Sequence, residues 1–456
     1  MIEKSLTPPP RETRAESLIQ RDRRHVWHPF SYPSSTSDPI VIESANGAML
    51  HTVDGRELLD CISSWWVNLF GHAHPRIAAA ISEQAQRLEQ VIFAGFTHEP
   101  AVQLADSLAT LLPGDLNRVF FSDDGSTSVE VAWKIAIQYW QNLGQTTRRR
   151  LMAFDGGYHG DTLGAMSVGA SSGFFEPWRR WMIDVDVIPF ADTWHGDVEI
   201  ETREAAALAT LDQFLEQHGD EVAAMIMEPL VQGAAGMRMC RPQFVVDVIE
   251  RLRQHDVLVI FDEVMTGFGR TGENFACDVA DVQPDLICLS KGVTGGFLPL
   301  GVTVASDRIY ESFTGDQPVM FCHGHSYTAN PLGCAAANAS LELLQLPETR
   351  RAWDAIAAAH QDGLQQVSRH PCATRLRQRG TIAAMDISVD DPGYSSTVGD
   401  QLKQWFWEPH ESIPDVLIRP LGNVIYLMPP YCMTEQQLKT AWIAIDRALE
   451  LVTDIQ

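Results

Sequence analysis

A lysine and an aspartate each follow a short apolar run, and their side chains can serve one ligand. Asp262 follows the run 257–261, and Lys291 follows the run 286–289 after one serine. A lysine amine can bond covalently to an aldehyde, and a carboxylate can keep a pyridine nitrogen protonated so that the ring accepts electrons. Taken alone, each residue has an ordinary interpretation, Lys291 as a surface lysine and Asp262 as the cap of a turn. Together and in this order, they predict a pyridoxal phosphate site.

The segment 122–127 is a candidate phosphate-binding turn. Its sequence, Ser-Asp-Asp-Gly-Ser-Thr, links a predicted strand to the start of a predicted helix. Free N–H groups and the positive end of the helix dipole attract a phosphate, and Gly125 lets the backbone approach it closely. An ordinary helix cap is the alternative. Asp123 and Asp124 would repel a phosphate unless their side chains turn away. The turn is therefore a candidate phosphate site only in combination with Lys291 and Asp262.

Two aromatic positions are candidates for the walls of a ligand pocket. Tyr158 lies in a glycine-rich turn after the strand predicted at 151–154, at the sheet edge where ligands of α/β proteins bind. Its ring can lie flat on a pyridine ring, or it can simply pack within the turn. Trp65 and Trp66 are adjacent and point different ways, so at most one needs to line a pocket while the other belongs to the core.

Two arginines lie in surroundings where a cation needs a partner. Arg419 interrupts an otherwise apolar stretch that continues to Tyr431. Its partner is either a structural carboxylate or the carboxylate of a substrate, which a guanidinium can bind through two N–H groups. Arg270, within the run 266–272, has the same two interpretations, and the structural one is favoured there.

Composition and charge exclude several classes of partner. The 456 residues carry a formal net charge of −25, which repels nucleic acid and anionic membranes. No apolar stretch approaches the roughly 18 residues that span a bilayer, and the N-terminus lacks the apolar segment of a signal peptide. The eight cysteines are scattered, as expected of reduced thiols in a cytoplasmic protein. The His-x-His runs at 72–74 and 323–325 have no companion ligands, so we expect no metal.

Strand and helix patterns alternate from residue 74 onward, which predicts an α/β domain with a mostly parallel sheet. Residues 76–345 form this large domain. Residues 346–456 look α+β and form the C-terminal part of a smaller domain, and residues 1–75 form its N-terminal segment. The first 24 residues are polar and are expected to form an arm or a covering helix.

The run 262–272 and the Leu-Ser-Lys-Gly run at 289–292 together resemble the cofactor signature of the class III, or ω-amino-acid, aminotransferases. The resemblance covers about residues 25 to 450. It implies the type I pyridoxal phosphate fold and a homodimer with two active sites at the subunit interface. It also implies that Lys291 bonds to the cofactor and transfers protons, that Asp262 pairs with the ring nitrogen and that Tyr158 stacks on the ring. The groups that hold the phosphate are then Gly125, Ser126 and Ser326 of the neighbouring subunit.

Other runs resemble the family members that aminate 8-amino-7-oxononanoate in biotin synthesis. These runs are 27–30, 63–66, 157–162, 323–326, 419–420 and 426–431. The residues that this resemblance places at the substrate are Trp65, Tyr158, Gly324 and Arg419, the last on the carboxylate of the oxo-acid. S-adenosylmethionine is the expected amino donor, and lysine is the alternative. Phe30 stands where the family often has tyrosine, Asp124 replaces a small hydroxyl residue, and Ser326 stands where threonine is common.

Three other functions compete with this one. The first is another ω-aminotransferase that acts on 4-aminobutyrate, ornithine or a diamine, against which the tryptophan pair and the Arg419 run argue by resemblance. The second is a catalytically silent module of the same fold, against which Lys291 and Asp262 argue. The third is a nicotinamide-dependent dehydrogenase, which is disfavoured because no Gly-x-Gly-x-x-Gly follows the early strands.

Overall fold

The computed structural model describes residues 13–31, 37–169, 175–314, 319–390, 392–394, 396–410 and 415–455. The helices are α1 (Arg14–His25), α2 (Ser63–Trp66), α3 (Pro75–Ala85), α4 (Glu99–Leu111), α5 (Gly125–Asn142), α6 (Leu163–Val168), α7 (Ile200–His218), α8 (Pro242–Gln254), α9 (Ala276–Ala280), α10 (Asp307–Glu311), α11 (Pro331–Leu344), α12 (Pro347–Val367), α13 (Thr397–Trp407) and α14 (Glu435–Ile455). The strands are β1 (Ile42–Asn46), β2 (Met49–Thr52), β3 (Glu57–Asp60), β4 (Leu116–Ser122), β5 (Arg150–Phe154), β6 (Val185–Ile188), β7 (Val222–Met227), β8 (Val231–Gln232), β9 (Arg238–Met239), β10 (Leu258–Asp262), β11 (Leu286–Leu289), β12 (Gly301–Ser306), β13 (Ala373–Arg379), β14 (Ile382–Ile387), β15 (Val416–Leu417) and β16 (Val424–Leu427).

A seven-stranded sheet forms the centre of the large domain, in the order β4-β12-β11-β10-β7-β5-β6. Within this sheet only β12 runs antiparallel to its neighbours, β11 and β4. The predicted α/β architecture with a mostly parallel sheet is therefore confirmed. Because β4, β5, β7, β10 and β11 run in one direction, the turns that follow them meet at one edge of the sheet.

The central strands are buried on both faces, and this explains their continuous apolar runs. In β10, Val259 and Phe261 pack into the core on one side of the sheet, while Leu258 and Ile260 pack into the core on the other side. The register pairs Asp262 with Cys288 of β11. Because Cys288 lies shortly before Lys291 in the sequence, this pairing brings the ends of β10 and β11, with Asp262 and Lys291, side by side.

Both chain ends contribute to one smaller sheet, in the order β1-β2-β3-β15. Leu59 and Asp60 of β3 pair in parallel with Val416 and Leu417 of β15. This pairing supports one domain built from both ends, and its proposed bounds at 75 and 346 stay a prediction. Residues 1–12 of the expected N-terminal arm lie outside the described residues, and α1 begins after Thr13, which caps it.

Several elements differ from the sequence predictions. The apolar pattern near 380–387 predicts a strand, and the structure shows it as the second strand of a hairpin, β13–β14, whose first strand was not predicted. Helix α4 was also not predicted, although Pro100 at its first turn and the buried Ala101, Leu104 and Leu108 are signals of a helix. Helical spacing predicts a helix over 78–91, but α3 begins earlier, at Pro75, because proline fits the first helical position.

In the described part of the chain, no helix has the length and apolar character that crossing a membrane requires.

Arg270 joins the large domain to both chain ends. Its guanidinium is 1% exposed and donates to the carbonyl oxygens of Pro429, at 2.8 Å, and Asn68, at 3.1 Å. Its Cζ lies 5.2 Å from the centre of the Tyr431 ring. No carboxylate forms an ion pair with it among the described residues. These contacts favour the structural interpretation of Arg270.

Replacing Arg270 by leucine should lower the free energy of unfolding by roughly 3 kcal/mol, because two buried carbonyl oxygens lose their donors. The midpoint of urea unfolding, followed by circular dichroism, measures the loss. Arg351→Leu is the control, since the exposed Arg351 pairs only with Glu348 on the same helix. Equal midpoint shifts in the two variants would contradict a structural role for Arg270.

Candidate active site

A cavity of about 670 Å³ opens at the edge where the parallel strands end. Five of the predicted site residues line it, namely Gly125, Ser126, Tyr158, Asp262 and Lys291. The other lining residues are Trp66, Val67, Asp124, His159, Gly160, Asp161, Thr162, Glu228, Val264, Met265, Ser290, Gly296, Phe297, Leu298 and Pro299. The fold therefore assembles one cavity from turns that are far apart in the sequence.

Lys291 begins a short 3₁₀ turn directly after β11, and its backbone has a positive φ of 39°. A non-glycine residue in this region is strained, which is common at functional sites. Its Nζ lies 5.3 Å from the centre of the Trp66 ring. Burial lowers the pKa of Lys291, although the carboxylates of Asp262 and Glu228 oppose this shift. The amine is therefore closer to its neutral, nucleophilic form than an exposed lysine would be.

Asp262 ends β10 with its carboxylate in the cavity, and it is 4% exposed. Its Oδ2 lies 2.7 Å from His159 Nδ1, and its Oδ1 accepts from the Val264 N–H at 3.1 Å. The neighbouring Glu263 instead accepts from backbone N–H groups at the start of α9. Of this acidic pair, only Asp262 is available to a ligand.

His159 is a site residue that the sequence reasoning did not single out. Its ring is buried against Asp262, and its Nε2 has no hydrogen-bond partner in the described part of the chain. When Nδ1 carries a proton, it donates to the Asp262 carboxylate and fixes its orientation. The available signal was its position next to Tyr158, in a turn already identified as a candidate.

Glu228 is a second residue that the sequence reasoning missed. It follows the last residue of β7, and its carboxylate accepts from the N–H groups of Tyr158, at 3.0 Å, and Gly233, at 2.9 Å. Burial raises the pKa of Glu228 to about 7, and nearby Asp262 adds to this, while His159 opposes it. A carboxylate at the end of an apolar strand, the signal that identified Asp262, also marks Glu228.

The turn before α5 has the features of an anion site. Asp124 Oδ1 accepts from the Thr127 N–H at 2.8 Å, so this carboxylate is engaged in capping the helix. Ser126 Oγ is 2.8 Å from Thr162 Oγ1. A side chain at Gly125 would lie 2.8 Å from a methyl carbon of Val264, so only glycine fits there. Asp123 points elsewhere, with Oδ2 at 3.0 Å from His325 Nδ1.

The two adjacent tryptophans lie in different places. Trp66 is 5% exposed, lines the cavity and donates from Nε1 to the Tyr426 hydroxyl at 2.9 Å. Trp65 is 41% exposed and is not among the lining residues. Its ring lies 5.7 Å from that of Phe30 and 5.0 Å from Arg419 Cζ. The buried member of the pair is thus also the one that contacts the lysine.

Four predicted site residues lie outside this cavity, namely Trp65, Gly324, Ser326 and Arg419. Arg419 stacks on Trp65 and has no carboxylate partner among the described ion pairs, which leaves its guanidinium available. Ser326 and Gly324 are not among the lining residues, and the Ser326 carbonyl oxygen accepts from Gln90 Nε2 at 2.8 Å. Within a single chain, the structure does not bring these two residues to Lys291.

Among the described residues, no group of three histidine, cysteine, aspartate or glutamate side chains could hold a metal ion.

The chain belongs to the class-III aminotransferase family, whose model matches residues 31–449. Its fold is the type I fold of pyridoxal phosphate-dependent transferases, as the resemblance implied. The protein is an aminotransferase, so neither the dehydrogenase nor the silent module considered from the sequence describes it.

Three similar proteins illustrate this relationship. The adenosylmethionine-8-amino-7-oxononanoate aminotransferase of Synechococcus elongatus is 53% identical over 427 residues, or 93% of this chain and 98% of the relative. The crystal structure of the enzyme of that name from Methanocaldococcus jannaschii matches with a TM-score of 0.86 at 31% identity, over 95% of this chain and 98% of that one. An amine transaminase from an uncultivated Pseudomonas species, solved in its PLP-bound form, matches with a TM-score of 0.85 at 28% identity, over 93% and 98% of the two chains.

Glu228→Gln should flatten the dependence of stability on pH. A carboxyl whose pKa rises on folding binds its proton more tightly in the native state, so its ionisation destabilises the native state as pH rises from about 4.5 to about 7. Glutamine cannot ionise, and on the order of 3 kcal/mol of that decline should disappear. Urea unfolding of the cofactor-free protein at pH 5 and pH 7.5 measures the difference.

Glu83→Gln, at an exposed position on α3, is the matched control and should keep the wild-type dependence on pH. If the Glu228 variant shows the same decline as the control, burial does not disfavour the charge of Glu228.

Proposed function

We propose that this protein transfers an amino group to 8-amino-7-oxononanoate, with S-adenosylmethionine as the donor, in biotin synthesis. The observation that carries the reaction type is Lys291, a half-buried lysine whose amine shares a cavity at the strand ends with Asp262. The substrates come from the names of the similar proteins, above all the relative at 53% identity over 93% of this chain.

The cavity fits pyridoxal 5'-phosphate, which is the cofactor of this family. Lys291 is placed to bond to its aldehyde and Asp262 to pair with its ring nitrogen. The N-terminal N–H groups of α5 at Gly125 and Ser126 are placed for its phosphate, and Tyr158 for its ring. When bound, pyridoxal phosphate supplies an electron sink for the charge that develops at the substrate carbon.

The protein supplies proton transfer and positioning. Lys291, with its lowered pKa, can take a proton from the substrate carbon and return it. Asp262 is fixed by His159 and remains able to hold a positive charge next to it. Trp66 covers one side of the amine and limits access of water. Together these residues form an acid–base site in an apolar surrounding, where electrostatic interactions are strong.

Arg419 is the proposed partner of the oxo-acid carboxylate. Its guanidinium lies over the Trp65 ring, with no carboxylate of the described residues paired to it. An arginine held on an aromatic ring keeps its N–H groups free for a ligand. Trp65 and Arg419 would then form the outer part of the substrate site, beyond the cavity that contains Lys291.

The proposed assembly is a homodimer in the cytoplasm, with active sites at the subunit interface. Exposed apolar side chains support an interface near the segment that carries Gly324 and Ser326. These side chains are Ile92, Phe96, Met320 and Tyr327. The two parts of this surface are joined by the bond from Gln90 to the Ser326 carbonyl oxygen. Since Ser326 does not reach the cavity of its own chain, a role at the cofactor phosphate requires the cavity of a second subunit.

Borohydride reduction of the holoenzyme, followed by peptide mapping, should place the pyridoxyl label on Lys291. The reason is that this amine, alone among the residues lining the cavity, is a lysine. Lys439→Met, at an exposed lysine on α14 that pairs with Glu435, is the control and should retain the label. A label on another lysine would overturn both the site and the reaction type.

Arg419→Ala should reduce kcat/KM for 8-amino-7-oxononanoate by roughly 30-fold or more, since losing a charge-assisted contact of about 2 kcal/mol or more costs at least that factor. The half-reaction with the donor alone, followed by the absorbance of the bound cofactor, should change much less. Arg375→Ala is the matched control, because Arg375 also stacks on a tryptophan, at 4.4 Å from the Trp194 ring.

If both half-reactions fall together in Arg419→Ala, this arginine does not select the acceptor. If 8-amino-7-oxononanoate is not aminated by the wild-type enzyme while 4-aminobutyrate, ornithine or a diamine reacts, the protein is one of the other ω-aminotransferases.

A further inference from the structure

Four ionisable side chains outside the cavity form a continuous chain of contacts. Lys134 Nζ lies 2.8 Å from His323 Nδ1, and His323 Nε2 lies 3.0 Å from His325 Nε2. His325 Nδ1 in turn lies 3.0 Å from Asp123 Oδ2. None of the four lines the cavity that contains Lys291. This series of four side chains is therefore a separate feature, which neither proton transfer by Lys291 nor substrate binding explains.

The distances determine where the protons lie. One proton fits between two Nε2 atoms 3.0 Å apart, because two would repel each other. An unperturbed lysine holds its proton more tightly than an imidazole by about four pKa units, so Lys134 donates to His323 Nδ1. His323 then donates from Nε2 to His325, whose remaining proton is on Nδ1, facing Asp123. His323 is therefore neutral, and the two imidazoles lie in series between the Lys134 amine and the Asp123 carboxylate.

The surroundings favour this neutral state. His323 stacks on Phe321 at 5.8 Å and meets the edge of Phe120 at 6.1 Å. Burial lowers the pKa of His323, and the charge of Lys134 and the neighbouring His325 add to this, while Glu130 opposes it. The order cation–imidazole–imidazole–anion thus satisfies each of the three contacts with one proton.

Two members of this series lie beside residues of the proposed cofactor sites. Asp123 directly precedes Asp124, which caps α5, and Gly125, which lines the cavity. His325 lies between Gly324 and Ser326, and its backbone N–H donates to Thr328 Oγ1, at 2.9 Å, in a closed turn. Lys134 lies on α5, so both ends of the series belong to α5 and the turn before it. The two histidines therefore connect the turn at one cofactor site to the segment proposed for the site of the other subunit.

We propose that Lys134, His323, His325 and Asp123 are positioning residues that fix the phosphate side of one cofactor site to the segment that completes the other. This rests on the proposed homodimer, in which Ser326 serves the neighbouring subunit. When one of these side-chain contacts is lost, the 323–326 segment can move relative to the turn before α5. The expected consequence is faster loss of pyridoxal phosphate from both sites.

The test is the rate at which the holoenzyme releases pyridoxal phosphate, measured without substrates in the presence of an acceptor that traps the free cofactor. His325→Leu should release it about tenfold faster, as expected when charge-assisted hydrogen bonds are lost. His325→Gln should stay within about twofold of the wild type, because its amide can accept from His323 and donate toward Asp123. His218→Leu, at a histidine on α7, is the control and should not change the rate.

A double-mutant comparison separates a connected chain from four independent contacts. Lys134→Met should also accelerate release, and the double variant with His325→Leu should be no faster than the faster single variant, within about twofold. Multiplied effects, an unchanged rate in His325→Leu, or a glutamine variant as fast as the leucine variant would each overturn the proposal. Should His325→Leu not fold, an unchanged rate in Lys134→Met would overturn it.

Failure of this proposal is distinguishable from failure of the proposed reaction. Cofactor release is measured without donor or acceptor, so it does not depend on which substrates the enzyme uses. If the protein does not aminate 8-amino-7-oxononanoate but shows the expected release rates, the proposed reaction is wrong and the positioning role stands. Sedimentation of each variant establishes whether the dimer persists. If the wild-type protein is a monomer and releases the cofactor as slowly as the dimer does, the proposed link between subunits is contradicted.

Discussion

The site depends on holding a lysine amine and two carboxylates together where water is largely excluded. Burial disfavours charge, and it lowers the pKa of Lys291 and raises that of Glu228. Asp262 lies at hydrogen-bonding distance from His159, and its second oxygen accepts from the Val264 N–H. The two carboxylates therefore have different surroundings, and Glu228, with a pKa of about 7, is partly protonated at neutral pH. The Lys291 amine and the Asp262 carboxylate face the same cavity.

The parallel sheet makes this arrangement possible. Each of the strands β5, β7, β10 and β11 ends at the same edge, and each is followed by a turn that contributes to the cavity. The strand interiors are apolar on both faces, so the functional groups stand at the ends, where they do not disturb the core. The apolar interiors of these strands therefore stabilise the fold, and the residues at their ends carry the chemistry.

The two chain ends build the proposed outer part of the site. Phe30 and Trp65 come from the N-terminal segment, and Arg419 comes from the C-terminal segment, next to β15. Among the interactions that hold these segments together are the pairing of β3 with β15 and the bonds from Arg270 to carbonyl oxygens on either side. The proposed substrate end is therefore built on elements separate from the sheet that holds the lysine.

The reaction type and the residues at the base of the cavity could be predicted from sequence patterns and from the family resemblance that they carry. Lys291, Asp262, Tyr158 and Gly125 each follow an apolar run, and strand ends in an α/β sheet meet at one edge whatever the details of packing. The class of fold followed from the same alternation of strands and helices. Arg270 was correctly favoured as structural, because a cation within apolar surroundings must find partners inside the protein.

The neighbours of those residues depend on the folded structure. The partnership of His159 with Asp262 joins residues 103 positions apart, and no local pattern encodes such a contact. The same is true of Trp66, which lies over the lysine while its neighbour Trp65 pairs with Arg419, because one irregular turn sends adjacent rings in different directions. Glu228 had a local signal that went unused, whereas the charge it carries depends on burial, which exists only in the folded chain.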